Sequence, residues 1–395
     1  MSKRKYGTVA VGVRAPIIKE GDDIISFVTD AVIEAAESGN LKLGDKDIVG
    51  ITEAVVARAQ GNYAKLDDIA ADIKQKFPNG TMGVIHPILS RNRFALLLKA
   101  FARGVDKLYL MLSYPFDEVG NPLISQDKLD ESGINPYKDT LSEKEFCKIF
   151  GDENPHLFTG VDYIKYYKSI SPNIEIILSN DPSFILNYTK DVLCADIHTR
   201  RRTRKTLKNA GANIVLTMDD ILSKPINKSG FNPDFGVLGS NMATDEKVKL
   251  FPRNGFETVN KIQQSLKQKT GKNIEVMIYG DGGFKDPVCG IWELADPVVS
   301  PGYTKGLEGS PSELKIKFLA DNKFAEHSGE ELEKNMKNAI KNKRSTPLND
   351  MSKGGTTPRR YIDLIGSLCD LVSGSGEKGT PIVLIQGYFD DYATE

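Results

Sequence analysis

Residues 274–304 read IEVMIYGDGGFKDPVCGIWELADPVVSPGYT, and they constrain the fold more than any other stretch. Val276-Met277-Ile278-Tyr279 is an apolar run of buried-strand length. It breaks at Gly280-Asp281-Gly282-Gly283, which sets a carboxylate at the strand's C-terminal tip. Open α/β sheets bind ligands at that edge. Lys285 and Asp286 follow within a turn, and Glu293 and Asp296 come next, around the only tryptophan, Trp292. Hard cations take oxygen ligands and lysine offers phosphate a point charge, so this density suits a magnesium–phosphate site. Taken alone, the same residues also read as a polar turn rich in glycine.

Composition sets the outer bounds. The chain has 395 residues, 40% hydrophobic and 27% charged, close to globular averages. That length predicts roughly two or three domains. Lys plus Arg is 52 and Asp plus Glu is 53, so neither nucleic acid nor an anionic membrane is expected as a global partner. Cys147, Cys194, Cys289 and Cys369 are far apart with no C-x-x-C pair. A zinc site of the usual spacing is therefore not expected, and the thiols read as reduced ones in a cytoplasmic protein. The N-terminal MSKRKYGTVAVGV lacks the apolar core of a secretory signal. No run approaches the roughly 20 apolar residues of a membrane span.

Periodicity separates a middle region from its flanks. Thr8–Val13 predicts a strand, Gly21–Glu37 a helix with acids in its first turn, Asp47–Ile51 a strand and Leu66–Phe77 a helix. From about Thr81 to Ser223 strands and helices alternate. Gly83–Ile88, Lys107–Ser113, Glu175–Ser179, Val192–His198 and Ile214–Thr217 read as strands, with helices over Arg91–Arg103, Pro182–Lys190 and from Thr199 to Gly211. That rhythm predicts parallel pairing and an inserted α/β domain. Within it, Tyr114–Leu141 is polar and broken by three prolines, the character of a functional or mobile loop. Beyond Phe231 come a glycine-punctuated loop over Phe235–Ala243, an extended Val248–Pro252 and a helix over Phe256–Lys269. Leu314–Asn342 reads as strand, turn and charged helix, Tyr361–Val372 as a helix and Pro381–Gln386 as a strand.

Several motifs bear on chemistry. Gly374–Gly379 matches G-x-G-x-x-G, but a helix precedes it and a strand follows, the inverse of the dinucleotide context, so it reads as a turn. No G-x-x-x-x-G-K-[ST] and no G-x-S-x-G occur, which excludes a standard P-loop and leaves a serine hydrolase without support. Arg200, Arg201, Arg202, Arg204 and Lys205 sit at a strand-to-helix junction. They can grip phosphates or a polycarboxylate, or form a solvated helix face. His198 beside them is the one histidine worth testing. Ser240-Asn241 offers a metal or phosphate ligand, or a turn.

Three separated segments, in matching order and spacing, resemble the coenzyme F-420-0:L-glutamate ligase (γ-glutamyl ligase) family. Gly44-Asp45 through Ala54-Val-Val-Ala-Arg-Ala-Gln-Gly61 is similar to that family's G-D-I-V-V…K-V-V-S-K-x-E-G. Gly236-Val-Leu-Gly-Ser-Asn241 followed by Leu250-Phe-Pro252 is similar to A-G-V-D-x-S-N followed by L-L-P. Tyr279-Gly-Asp281-Gly-Gly-Phe-Lys285-Asp-Pro287 is similar to S-D-T-x-G-R-P, and Ser367–Gly387 to the last helix and strand. The resemblance covers about Gly12–Gly80 and Gly230–Tyr388. It implies an α/β fold with mixed sheets, in which residues 1–80 and 226–395 form a γ-glutamyl ligase-like domain. Residues 81–225 then form an inserted domain of βαβ type.

The resemblance also implies a chemistry and a homodimer. GTP, or ATP, phosphorylates a carboxylate acceptor, and the amine of glutamate or a similar amino acid displaces the phosphate to form an amide. Mg2+ or Mn2+, helped by K+, holds the phosphates. Asp281 takes the family's metal-ligand position, with Glu293 and Asp296 as further ligands. Ser240, Asn241, Gly282 and Gly283, with Arg200 and Arg202, are expected to hold the nucleotide, and Lys285 and Asp286 to stand at the reacting group. The chain departs from the pattern at two carboxylates, which fall on Leu238 and Gln60. The family's Thr falls on Gly282, and its Arg on Lys285 with Asp286 inserted. Asp286, Glu293 or Asp296 compensate, or the site holds one metal or none. Two other functions fit the same pattern: a non-catalytic protein binding a nucleotide or phosphometabolite, and a folate-type γ-glutamyl ligase.

Overall fold

The computed structural model describes residues 6–156, 159–280, 300–347, 349–353 and 359–394. In chain order the first elements are β1 (Val9–Val13), α1 (Ile24–Ser38), β2 (Ile48–Thr52), α2 (Glu53–Ala59), β3 (Tyr63–Lys65) and α3 (Leu66–Lys76). The middle region supplies β4 (Thr81–Ile85), α4 (Phe94–Gly104), β5 (Lys107–Leu112), α5 (Gln126–Ser132), β6 (Leu141–Ser142), α6 (Glu143–Phe150) and α7 (Tyr163–Ile170). It continues with β7 (Ile174–Leu178), β8 (Asp191–Cys194), α8 (Arg200–Asn209) and β9 (Ile214–Thr217). The remainder is β10 (Asn241–Thr244), β11 (Lys247–Lys249), α9 (Gly255–Thr270), β12 (Glu275–Tyr279), β13 (Gly302–Tyr303), α10 (Ile316–Phe318), α11 (Gly329–Lys341), α12 (Tyr361–Ser373) and β14 (Ile382–Gln386).

The described strands form three sheets. A five-stranded mixed sheet runs β1-β14-β2-β12-β13, with β2 and β12 parallel and its other neighbours antiparallel. Alternate residues serve its two faces, as a pleated strand requires. Val49, Ile51, Val276 and Ile278 pack toward α1 and α9, while Ile48, Met277, Val383 and Ile385 pack toward α12. Asp23 starts α1 by accepting from the Ile25 and Ser26 N–H groups. Val28, Val32 and Ala36 then recur at helical spacing as its buried stripe.

A six-stranded sheet runs β6-β7-β5-β4-β8-β9, all parallel except β6. The parallel pairing expected of the middle region is present. Both faces are covered, as parallel sheets need. One face holds Met82, Val84, Leu108, Leu110 and Ile176 with α3, α4 and α7; the other holds Ile85, Met111, Ile177, Val192 and Val215 with Leu207 of α8. Leu66, Ile69, Ile73 and Phe77, from α3 and its C-terminal cap, belong to the same buried cluster as β4 and β5. The third sheet, β10-β11-β3, is small and antiparallel.

Local differences from the periodicity have local causes. β4 stops at Ile85 because His86 takes a left-handed backbone, φ 52°. The 114–141 segment contains α5, started by the Ser125 hydroxyl accepting from Lys128 N–H and ended at Gly133, φ 71°. Leu314–Asn342 has no strand among the described residues. Its apolar residues sit at helical spacing instead, and Leu319, Met336 and Ile340 bury against one another in a separate small cluster. Gly374–Gly379 is the turn between α12 and β14, as its context implied. Cys147, Cys194 and Cys369 are free thiols, and Cys289 lies outside the described residues. Among the described residues no helix is long and apolar enough to cross a membrane.

Candidate active site

β2 and β12 run side by side in parallel and end level, with Thr52 opposite Tyr279. Glu53 follows β2 at once as the first residue of α2. Gly280 and then Asp281 follow β12. Two parallel strands ending together open a crevice of the kind α/β proteins use for ligands. Asp281, Gly282, Gly283, Lys285, Asp286, Glu293 and Asp296 lie outside the described residues. What surrounds the tip that leads to them is described.

Glu53 is 3% exposed and bonds Lys249 Nζ through Oε1. Lys249 is 7% exposed and comes from β11, where a lysine interrupts the apolar run Val248–Phe251. A buried ammonium needs a partner, and Glu53 is that partner. Burial lifts the Glu53 carboxyl above the usual carboxylate range, against the pull of Lys249. Burial also lowers the Lys249 ammonium, against the pull of Glu53. Arg93, just before α4, adds positive charge to the same neighbourhood. The second carboxylate oxygen, Glu53 Oε2, is buried and has no hydrogen-bond partner. An oxygen in that state costs about 1–3 kcal/mol, more when charged.

Asn241 stands directly opposite Lys249 in the β10–β11 pair, and opposed residues share a face. Its neighbour Ser240 is 3% exposed, and its Oγ is also buried without a partner. The loop that delivers them turns at Gly236, φ 54°, and Gly239, φ 67°. A Cβ at Gly239 would enter the Phe251 ring. Met242 N–H donates to Asn92 O at 3.0 Å, which ties the hairpin to the β4–α4 loop. Ser90, Arg93, Ile197, Leu238 and Ser240 help to line a cavity of about 40 Å³ at this junction. That volume suits water rather than a nucleotide.

The two departures at carboxylate positions have visible consequences. Gln60 donates from Nε2 to Arg253 O and accepts at Oε1 from Arg253 N–H, both at 2.8 Å. A carboxylate could not make the first of these bonds. Leu238 packs on the core and faces the cavity. Gln60 Oε1 is engaged by the Arg253 N–H and Leu238 has no side-chain oxygen, so neither position supplies the carboxylate that the pattern has there.

The structure sets Asn241 opposite Lys249, which holds Glu53, and sets Ser240 on the cavity that Arg93 also lines. Arg200 and Arg202 stand at the first turn of α8, on the C-terminal edge of the six-stranded sheet. Arg200 faces Asp219 at 3.9 Å and Arg202 is exposed. Among the described residues neither makes a hydrogen bond or ion pair with Ser240 or Asn241. Glu53, Lys249 and Arg93 were not singled out from the sequence. Two signals were there: a lysine inside an apolar extended run, and an acid directly after a buried strand.

Among the described residues no group of three or more His, Cys, Asp or Glu is arranged to hold a metal ion. Glu53 Oε2 and Ser240 Oγ are nonetheless hard oxygen donors without partners, the kind Mg2+ or Mn2+ takes. Either one fits as a single member of a ligand set, and neither is the whole of one. The family model described as F420-0:Gamma-glutamyl ligase matches residues 12–387. Comparison with curated proteins gives no match.

Proposed function

The chain belongs to the F420-0:gamma-glutamyl ligase family, and from that membership we propose that it is a nucleotide-dependent amide ligase. It joins glutamate or a similar amino acid to a carboxylate acceptor. The acceptor carboxylate attacks the γ-phosphorus of GTP or ATP, the nucleoside diphosphate leaves, and an acyl phosphate forms. The amine then attacks the acyl carbon, phosphate leaves and an amide remains. Residues 81–225 are proposed as an insertion that adds a wall to the substrate groove.

The observation that supports this reading best is the buried, partnerless Glu53 Oε2 at the shared tip of β2 and β12. It is a carboxylate oxygen left without a partner in a chain where two carboxylates of the pattern are replaced by Gln60 and Leu238. We assign Asp281, Glu293 and Asp296, with Glu53, to a divalent cation, which when bound would neutralise charge on the transferring phosphoryl group. Ser240, Asn241, Gly282 and Gly283 hold the nucleotide's phosphates, and Lys285 and Asp286 orient the reacting groups. Asp281→Ala is expected to abolish magnesium-dependent hydrolysis of GTP and ATP across a panel of carboxylate acceptors. Turnover equal to the parent would refute the assignment.

A second reading rests on Gln60 and Leu238. Gln60 is committed to the Arg253 backbone and Leu238 to the cavity wall, which suits a protein that binds a nucleotide without turning it over. Calorimetry separates the two. Tight nucleotide binding that ignores magnesium and yields no phosphate would favour the binding protein.

A further inference from the structure

Among the described residues the arginine cluster at α8 makes no bond to Ser240 or Asn241, and its surroundings have a chemistry of their own. Chain order in the six-stranded sheet reverses between β4 and β8: β5 and β7 lie on one side, β8 and β9 on the other. Doubly wound sheets bind ligands at the carboxyl ends of the strands flanking such a point. Here three consecutive N–H groups converge on one carboxylate. Glu118 accepts from Ile197 N–H at Oε2, and from His198 and Thr199 N–H at Oε1, the latter two at 2.9 Å. The Thr199 hydroxyl donates to the same Oε1 at 3.1 Å. These groups open α8, a helix of 10 residues whose N-terminus carries positive partial charge. The arrangement is an anion receptor, and the anion in it is a side chain of the same protein.

Other observations point beyond Glu118. Asp196, 0% exposed, accepts at Oδ2 from the Thr199 and Thr203 hydroxyls, each at 2.7 Å, so its carboxyl is turned toward the cap of α8. Its Oδ1 is buried without a partner. The Thr199 hydroxyl has one proton and two acids within reach, so they cannot both be served. Burial, reinforced by Glu118, holds the Asp196 carboxyl above its usual range. In its protonated form it donates to an incoming anion. Arg201 and Arg202 are exposed in the first turn of α8 and form no ion pair among the described residues, whereas Arg200 and Arg204 face Asp219 and Asp220. The backbone beneath Glu118 is fixed by Asp117, whose carboxylate accepts from the Leu89, Val119 and Asn121 N–H groups. With that backbone held, displacing Glu118 requires only rotation of its side chain.

We propose that the N–H groups of residues 197–199, with Asp196 beside them and Arg201 and Arg202 at the mouth, bind the phosphate or carboxylate group of a small-molecule ligand, and that Glu118 is an internal stand-in which this ligand displaces. Ile197 also lines the small cavity beside Arg93 and Ser240, so the receptor borders the Glu53–Lys249 region, but the proposal does not depend on the ligase reading.

The test titrates inorganic phosphate and citrate, separately, into the full chain and into Glu118→Ala, following the backbone amide resonances of Ile197, His198 and Thr199. Removing the internal competitor is expected to give saturable shifts at these amides and roughly tenfold tighter binding than the parent. Adding Arg201→Ala and Arg202→Ala weakens it again. Saturation by phosphate alone identifies a phosphorylated ligand, and saturation by citrate alone a carboxylate. If Glu118→Ala fails to fold, Glu118→Gln, which keeps the side-chain length and loses the charge, carries the same comparison. Absence of saturable shifts at these amides in a folded variant, or equal affinity in parent and variant, overturns the proposal.

Discussion

Lys249 and Glu53 are two charges taken out of water together, and the consequence is asymmetric. Removing one leaves the other buried and unpaired, which costs about 3–5 kcal/mol. Lys249→Met is therefore expected to lose about that much in urea unfolding, while Lys249→Met with Glu53→Leu recovers most of it. Equal losses in the single and double variants would mean the pair is not the unit that matters. Asp117 makes the second residue-scale case. Burial lifts its carboxyl to about 6, against the hydrogen bonds from Leu89, Asn121 and Val119. A folded value above the ordinary 3.8 means that the native chain holds the proton more tightly than the unfolded one. That stabilisation is complete below the unfolded value and is lost as pH rises through the folded one. Relative to Asp117→Asn, the parent should lose on the order of 2–3 kcal/mol between about pH 4 and about pH 7. A difference that stays flat with pH would remove Asp117 as its source. Asp117 does not stand out in the sequence by type, and Glu53 does so only through its place directly after a buried strand. Their behaviour comes from burial, which single positions do not announce.

At the scale of elements, the turn from Gly236 to Gly239 decides where Ser240 and Asn241 point. Both glycines use a left-handed backbone, and Gly239 also lies against the Phe251 ring. Gly239→Ala has to strain the backbone and push the ring. Its expected cost is above about 1 kcal/mol, read from thermal or urea unfolding. A neutral effect would show that the turn adapts. Elements were readable where period and length agreed. Ile214–Thr217 and Tyr361–Val372 agree within a residue, because a short apolar run of β-branched and aliphatic residues in one and helical spacing in the other leave little choice. Misreadings arose where one side chain outweighed the pattern. Asn241 reads as a loop residue and begins β10, because it is paired with Lys249 across the hairpin. Val192–His198 reads as one strand but ends at Cys194, because Asp196 bonds the Thr199 and Thr203 hydroxyls and turns the chain into α8. The parallel order of the middle strands was predictable from their alternation with helices. Their neighbours in the sheet were not, since strand order is fixed by non-local contacts.

At the scale of the whole molecule, the question is how far the two large sheets depend on one another. Sequence texture sets the middle region apart from residue 81 onward. The packing is continuous across that point. Leu66, Ile69, Ile73 and Phe77 are each at most 1% exposed, in the buried cluster that also holds Met82, Leu97 and Phe101. Joining residue 80 to residue 226 would remove α4 and the six-stranded sheet and leave that face of α3 in water. Each side chain loses roughly 1.5–3 kcal/mol of burial, so the four together lose about 6–12 kcal/mol. A whole domain has only about 5–15 kcal/mol to lose. The five-stranded sheet keeps both of its own layers, α1 with α9 on one side and α12 on the other, yet the exposed α3 face gives the shortened chain an aggregation-prone surface. The shortened chain is therefore expected to lack a cooperative melt and to elute as aggregate in size exclusion. A monodisperse, cooperatively melting product would show that α3 can repack without its partner, and the two regions would then be independent folding units after all.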